Sequence, residues 1–252
     1  DHHLCPHAGS WDGERPPGIV FPSPCTGSPA MNKPKLLLSW SSGKDSAWAL
    51  HMLRRQNAYE IVGLVTTINE NFSRVAMHGV REELLQAQAE AAGLPLWRVP
   101  LPHPCTNDEY ERRMRALIAR AVAAGVTHMA FGDLFLEDIR AYREKQLAGT
   151  GIQPVFPLWG LDTHELARDM VAGGLRATLS CVDPKHLTRD FAGRTFDETL
   201  LADLPAGVDP CGERGEFHSF CYMGPMFEHA IKIKTGTVVE RDGFVFADLL
   251  PA

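Results

Sequence analysis

The chain has 252 residues, of which 44% are hydrophobic and 22% charged, so it is long enough for one or two globular domains with a sizeable core. Its net charge of −6 gives no general attraction for nucleic acid or acidic membranes, and no apolar run reaches membrane-spanning length. Six cysteines without a Cys-x-x-Cys pair argue against a disulfide framework or a structural zinc site. We therefore expect a soluble, cytoplasmic protein.

The first 30 residues differ in composition from the rest of the chain. They contain six prolines and four glycines, show no periodic apolar pattern, and lack the charged start and apolar core of a secretory signal. We expect residues 1–30 to be a disordered or spuriously translated extension. The folded part is expected to begin at Met31, just before the first predicted strand.

Strand and helix signals alternate from Lys35 to Trp159. The predicted order is a strand from Leu36, a helix over 47–53, a strand over 61–67, a helix over 80–92, a strand over 96–100, a helix from Asn107, a strand over 127–131, a helix over 137–147 and a strand over 155–159. Repeated strand–helix–strand units with short connections predict an α/β fold with a parallel, Rossmann-like sheet. We assign this nucleotide domain to residues 31–160.

The pattern changes after Gly160. A helix is predicted over 163–172 and a strand over 177–182, and three further β-like segments follow at 230–234, 237–240 and 244–246. We expect residues 161–252 to form a smaller α+β part that packs against the nucleotide domain.

The first strand leads through a short polar turn into the first helix. Such a helix N-terminus has unpaired N–H groups and the positive end of the helix dipole, which together form an anion site. Ser41, Ser42 and Ser46 add hydroxyl donors, Gly43 permits close approach of a ligand, and Lys44 adds a positive charge. The alternative interpretation is an ordinary strand-to-helix connection.

This turn is not the Walker phosphate loop. Leu38 stands where that motif has its first glycine, and Asp45 stands where it has a hydroxyl. A carboxylate among phosphate-binding groups would be repelled unless a cation lay between them. The sequence therefore predicts a nucleotide with magnesium, and Asp45 as the metal ligand.

Ligands of open parallel sheets bind beyond the carboxyl ends of the strands. This rule selects the segments 69–78 and 132–133, and with them His78 and Asp133. A second unusual segment lies far along the chain, where two glycines frame Glu213 and Glu216, and His218 follows. Such a loop can wrap around a ligand and offer acid and base groups. A solvated loop with a structural histidine is the alternative.

These segments together resemble a known family. Residues Ser41 to Ser46 are similar to the Ser-Gly-Gly-x-Asp-Ser signature of the PP-loop, or N-type ATP pyrophosphatase, superfamily. Residues Gly212 to Ser219 are similar to the Gly-Glu-x-Gly-Glu-Phe-His-Thr segment of its diphthine–ammonia ligase family, and residues 132–144 resemble that family's middle motif. The likeness covers residues 33–250. Ser42 replaces a glycine of the signature, which we expect to be tolerated if its backbone is not left-handed.

The resemblance implies an enzyme that cleaves ATP between its α- and β-phosphates. The implied reaction adenylates an acceptor carboxylate and amidates it with ammonia, releasing AMP and pyrophosphate. ATP and magnesium are the implied cofactors. The acceptor is a small molecule or a modified protein side chain, such as the family's diphthine on elongation factor 2. No membrane partner is implied, and a homodimer is compatible with the sequence.

The resemblance also implies roles for individual residues. Ser41, Ser42, Gly43, Lys44 and Ser46 are expected to hold pyrophosphate, Asp45 magnesium, and Asp133 the metal or the acceptor. Glu213, Glu216 and His218 are expected near the acceptor, one of them as the base for the incoming amine. Arg140 is expected to bind phosphate or the acceptor carboxylate, or else to form a surface ion pair with Glu144. His78 is expected to line the adenine pocket or to be part of a helix-entry turn.

Two other functions fit parts of the sequence. An adenylating enzyme that transfers sulfur to RNA would need a reactive cysteine near the phosphate site, and only Cys105, Cys181, Cys211 or Cys221 could serve. The acidic charge balance argues against such a nucleic-acid partner. A non-catalytic ATP-binding sensor would need the phosphate turn without the segment from Glu213 to His218.

Overall fold

The fold combines a parallel and an antiparallel β-sheet with six α-helices in the described part of the chain. The computed structural model describes residues 32–71, 74–75 and 79–252. The predicted extension over residues 1–30 and His78 lie outside the described residues. The strands are β1 Lys35–Ser39, β2 Glu60–Asn69, β3 Arg74–Val75, β4 Leu96–Leu101, β5 Val126–Ala130, β6 Gln153–Val155, β7 Arg176–Val182, β8 Phe217–Met223, β9 Ile233–Arg241 and β10 Phe244–Pro251. The helices are α1 Lys44–Gln56, α2 Glu82–Ala92, α3 Asn107–Ala123, α4 Glu137–Leu147, α5 Thr163–Ala172 and α6 Glu198–Asp203.

The first sheet confirms the predicted Rossmann-like architecture. Five strands run parallel in the order β4-β2-β1-β5-β6, and the short β3 pairs antiparallel with β2. Leu36, Leu37 and Leu38 in β1 are completely buried, as expected for a central strand with helices on both faces. The chain moves to one side of β1 through β2 and to the other side through β5. The crevice between β1 and β5 is therefore the topological switch point, where ligands bind in such sheets.

The C-terminal part contains a separate antiparallel sheet in the order β8-β7-β10-β9. The hairpin of β9 and β10 corresponds to the β-like segments predicted near the C-terminus. Strand β8 was not predicted, because the segment around His218 was interpreted as a loop. Residues 33–252 form one compact unit, and the division of the chain near residue 160 stays a prediction. Within the described ranges, no helix is both long and apolar enough to cross a membrane.

Gln88 joins the two sheets through three buried hydrogen bonds. This completely buried residue of α2 accepts a hydrogen bond from the indole Nε1 of Trp40, at 2.9 Å. Its amide nitrogen donates to the carbonyl oxygens of Ser42, at 2.9 Å, and Cys221, at 2.7 Å. Cys221 N also donates to the Ser42 carbonyl, at 2.9 Å. One side chain thus connects the end of β1, the turn before α1 and strand β8.

We expect Gln88→Leu to lower the free energy of unfolding by about 3 kcal/mol, because it leaves the Trp40 N–H and the Cys221 carbonyl buried without partners. Urea unfolding measures this loss. The control is Gln86→Leu on the same helix, whose amide bonds only to side chains, Glu90 and Arg98. Equal losses for the two variants would contradict the role given to Gln88.

Candidate functional site

A cavity of about 220 Å³ lies at the predicted place, beyond the carboxyl ends of β1 and β5. Its lining brings together eight of the predicted site residues: Ser41, Gly43, Lys44, Asp45, Ser46, Asp133, Glu213 and His218. Of the predicted residues that the structure describes, Ser42, Arg140 and Glu216 do not line it. Eight of the eleven predicted residues that the structure describes therefore lie at one cavity, and they make up half of its sixteen lining residues.

The turn before α1 is held by its own hydroxyls. Ser41 Oγ lies 3.0 Å from Ser46 Oγ and accepts a hydrogen bond from Gly43 N, at 3.3 Å, while Ser46 Oγ donates to the Gly43 carbonyl, at 3.2 Å. Gly43 is the N-cap of α1 and has an extended backbone. A Cβ atom there would lie 3.2 Å from the Ser219 carbonyl oxygen, so glycine allows β8 to approach the turn closely.

Ser42 has a left-handed backbone, so the condition under which we expected it to replace the signature glycine without cost is not met. Its φ is 71°, it is completely buried, and its Oγ has no hydrogen-bond partner among the described residues. The left-handed region costs a residue with a Cβ atom about 1–2 kcal/mol. Because its carbonyl receives the hydrogen bonds of Gln88 and Cys221, Ser42 shapes the turn and does not face the cavity.

The Lys44 ammonium is engaged within the protein. Lys44 is buried, and its Nζ donates to the Cys211 carbonyl and to Asp45 Oδ1, the latter at 3.1 Å. The rings of Phe217 and Phe196 lie 5.2 and 5.5 Å from Nζ. Burial opposes the charged form of Lys44, but the nearby negative groups, with the Asp45 carboxylate first among them, together raise its pKa. Lys44 therefore ties α1 to the loop that carries Glu213.

Three carboxylates line the cavity, those of Asp45, Asp133 and Glu213. Burial and the neighbouring Asp45 raise the pKa of Glu213 to about 8, and Asp133 adds to this shift. Glu213 also accepts a hydrogen bond from Leu134 N, at 3.3 Å, and burial raises the pKa of Asp45. Among the described residues, no group of three or more His, Cys, Asp or Glu side chains has metal-binding geometry. Carboxylate oxygens are nevertheless the ligands that hard divalent cations prefer.

Glu216 does not line the cavity, but it stabilises the loop that carries Glu213. It is buried, and its Oε2 accepts a hydrogen bond from Asp209 N, at 2.7 Å. Asp209 Oδ2 in turn accepts from Glu213 N, at 3.0 Å. Glu216 Oε1 is buried and has no partner within the described part of the chain. The two glutamates of the motif therefore differ, because Glu213 reaches the cavity and Glu216 positions the loop that holds it.

The arginine at the cavity is Arg143, which was not predicted as a site residue. Its Nε lies 3.4 Å from Asp133 Oδ2, and its guanidinium lies over the ring of Phe131. Arg140 forms the alternative surface ion pair with Glu144, at 2.9 Å, and stacks on two aromatic rings. Sequence spacing could not choose between two arginines three residues apart on α4.

Three more residues complete the description of the site. Burial lowers the pKa of His218, which favours a neutral imidazole at the cavity. Cys211 and Ser219 also line the cavity. The sequence analysis named Cys211 only for the sulfur-transfer alternative and gave Ser219 no role. For Ser219, its position inside the resembling segment was the only signal available. His78, the remaining predicted residue, lies outside the described residues.

The parallel sheet and the polar turn at its switch point define a PP-loop nucleotide-binding protein. The model of the diphthamide synthase N-terminal domain matches residues 34–154, and that of the C-terminal domain matches residues 162–246. The chain belongs to the diphthamide synthase family.

Several curated relatives carry the name diphthine–ammonia ligase. The protein from Danio rerio is 28% identical over 228 residues, which are 80% of this chain and 88% of the relative. The protein from Schizosaccharomyces pombe is 27% identical over 227 residues, 82% of this chain but 37% of the relative. The human protein is 28% identical over 183 residues, 67% of this chain and 68% of the relative.

We expect Ser42→Gly to raise the free energy of unfolding by about 1 kcal/mol. The change relieves the strain of a left-handed residue that carries a Cβ atom, and it removes a buried hydroxyl that has no hydrogen-bond partner among the described residues. The greater entropy of glycine in the unfolded chain offsets only part of this gain. Urea unfolding gives the difference. Ser41→Gly is the matched control and should destabilise, because Ser41 Oγ has hydrogen-bond partners. A destabilised Ser42→Gly variant would contradict the assignment.

Glu213 should make stability depend on pH. Its pKa is about 8 in the folded protein, above the usual 4.5, so the folded state retains a proton that the unfolded state has lost. The stabilisation is fully present below pH 4.5 and is lost as pH rises through 8. We expect the melting temperature of the wild type to fall between pH 5 and pH 8.5 more steeply than that of Glu213→Gln. Glu111→Gln, on the exposed face of α3, should follow the wild type, and parallel curves for all three proteins would refute the shift.

Proposed function

We propose that this protein is an ATP-dependent, AMP-forming ligase that adenylates an acceptor carboxylate and amidates it with ammonia, as the name of its diphthine–ammonia ligase relatives suggests. The observation that carries the proposal is the common cavity, where the turn before α1 meets Asp45, Asp133 and Glu213. Hydrogen-bond donors for phosphate groups lie there beside carboxylates from both parts of the chain, as a reaction between a nucleotide and a second substrate requires.

The turn and α1 bind the triphosphate. The N-terminus of α1 presents backbone N–H groups and the positive end of its dipole, and Ser41 and Ser46 add hydroxyls. The departure of pyrophosphate is the electrostatic problem of this reaction, and fixed donors at the leaving group reduce its cost. Lys44 contributes its charge from a fixed position, because its ammonium is held by the Cys211 carbonyl.

Magnesium fits this cavity. Proteins commonly hold Mg²⁺ with one or two carboxylates together with phosphate oxygens and water, so a complete protein cage is not required. Asp45, next to the phosphate turn, would hold the ion, and Asp133 on the facing strand end is the second candidate. When bound, the ion supplies charge neutralisation at the pyrophosphate. Burial is the main cause of the raised pKa values of Asp45 and Glu213, and a bound cation would favour the ionised forms of both carboxylates.

Residues 161–252 form the acceptor-site domain and provide side chains for the amidation step of the reaction. Glu213 is the base that takes a proton from the incoming amine, because its pKa of about 8 is matched to a base working near neutral pH. Arg143 is the cation placed to orient an acceptor carboxylate. His218, with its lowered pKa, serves as a neutral hydrogen-bond donor. The acceptor is a small molecule or a modified protein side chain.

The cysteines argue against the sulfur-transfer alternative. Cys211 is the cysteine at the cavity, but burial raises the pKa of its thiol far above the usual range, and its Sγ donates to the Thr163 carbonyl. Burial also raises the pKa of Cys181 to about 11 and of Cys221 to about 12. Sulfur transfer requires a thiolate, which these environments disfavour. A passive ATP sensor would have no use for the carboxylates of the cavity.

The reaction is tested by incubating the protein with ATP, magnesium, ammonium chloride and candidate carboxylates, among them a diphthine-bearing protein. We expect AMP and pyrophosphate as acceptor-dependent products, separated by anion-exchange chromatography. ADP as the product would overturn the proposed cleavage between the α- and β-phosphates. Two further predictions, a cytoplasmic location and a homodimer, are tested by fractionation and by light scattering.

Asp45→Asn should lower the rate of pyrophosphate release by about 100-fold, because it removes the carboxylate that holds the metal at the leaving group. A coupled pyrophosphate assay at saturating ATP measures the rate over a series of magnesium concentrations. Asp108→Asn, at the exposed start of α3, is the control and should retain wild-type activity. Full activity of Asp45→Asn would show that the metal is held elsewhere.

A further inference from the structure

Strand β8 lies directly against the N-terminus of α1. The Ser219 hydroxyl accepts a hydrogen bond from Lys44 N, at 3.2 Å, and Ser219 is only 4% exposed. Two residues further along β8, Cys221 N donates to the Ser42 carbonyl, at 2.9 Å. The antiparallel sheet of the C-terminal part is therefore hydrogen-bonded directly to the turn before α1, which follows the central strand of the parallel sheet.

Hydroxyl groups from both sheets hold the first amides of the turn. Gly43, at the N-cap, has no side chain with which to cap α1. Gly43 N donates to Ser41 Oγ, and Lys44 N donates to Ser219 Oγ. Both serines line the cavity. A hydroxyl that accepts from an N–H still carries its own proton, which it can donate to an anion in front of it.

We propose that Ser219 is a phosphate-binding residue, whose hydroxyl donates a hydrogen bond to the pyrophosphate end of a nucleotide seated on α1. The inference rests on the proposed function, since it assigns the cavity to a nucleoside triphosphate. Ser41, from the turn after β1, and Ser219, from β8, then both contact the anion. The phosphate site is thus incomplete without strand β8.

If Ser219 served only as a cap that holds α1 in place, its loss would affect ligand binding in a different way. It would weaken the binding of every ligand of the cavity to a similar extent, because the whole turn would be less well ordered. A hydroxyl that contacts pyrophosphate acts only on ligands that contain this group. ATP and pyrophosphate should therefore depend on Ser219, and AMP should not.

The test is calorimetric titration of the full chain with pyrophosphate, ATP and AMP in magnesium buffer. We expect Ser219→Ala to weaken binding of pyrophosphate and ATP about tenfold, the effect of losing one hydrogen bond to a charged group. AMP affinity should change less than about twofold, and Ser219→Thr should restore pyrophosphate binding. Ser180→Ala is the matched control, because it removes a buried hydroxyl from the neighbouring β7, outside the cavity.

Wild-type affinity of Ser219→Ala for pyrophosphate, or an equal loss of AMP affinity, would overturn the inference. If the alanine variant fails to fold, Ser219→Cys keeps the side-chain volume with a much weaker donor and should show the same selective loss. A wild type that binds pyrophosphate through Ser219 but produces ADP would refute the proposed ligase and leave this inference standing. A wild type that does not bind pyrophosphate would refute the inference itself.

Discussion

The buried ammonium of Lys44 is the interaction on which the site depends. A charge removed from water is tolerated only with close partners, and Lys44 finds them in Asp45, the Cys211 carbonyl and the rings of Phe217 and Phe196. Two of these partners belong to the C-terminal loop and strand that form the far wall of the cavity. If the wall moved away, Lys44 would keep Asp45 but lose the Cys211 carbonyl and both rings, so these contacts hold the turn before α1 and the loop that carries Glu213 together.

This arrangement has an electrostatic consequence for the chemistry. The Lys44 charge is fixed at the back of the cavity, while the carboxylates of Asp45, Asp133 and Glu213 line it. Burial is the main cause of the raised pKa of Glu213, and the Asp45 and Asp133 carboxylates add to it. The same carboxylates attract cations, and both magnesium and ammonium are cations. A base whose pKa lies near 8 can accept a proton from ammonium at small cost, which an ordinary glutamate cannot. The unfavourable clustering of carboxylates therefore becomes useful when a cation is present.

The sequence predicted the parallel sheet and half of the residues that line the cavity, because both follow from local patterns. The residues after β1 and β5 must meet at the switch point, whatever the details of packing.

The features that the sequence did not predict depend on tertiary contacts. Strand β8 exists because Phe217 to Met223 pairs with β7, and its polar first residues resemble a loop when β7 is ignored. Glu216 and Glu213 have the same chemistry, and only the fold directs one behind the loop and the other into the cavity. The left-handed Ser42 follows from two hydrogen bonds to its carbonyl, from distant parts of the chain.

Strand β8 also shows how one element can serve both halves of the reaction. Successive residues of a regular strand point to opposite faces, yet Phe217, His218 and Ser219 all line the cavity. The pairing of β7 with β8 shifts register between Leu179 and Cys181, opposite Ser219 and His218. Irregularities of this kind increase the local twist and redirect side chains, and they are common beside active sites. The shift in register lies where the neighbouring residues His218 and Ser219 bring an imidazole and a hydroxyl to the same cavity. Because His218 and Ser219 are neighbours on β8, a shift of the strand would move both side chains together.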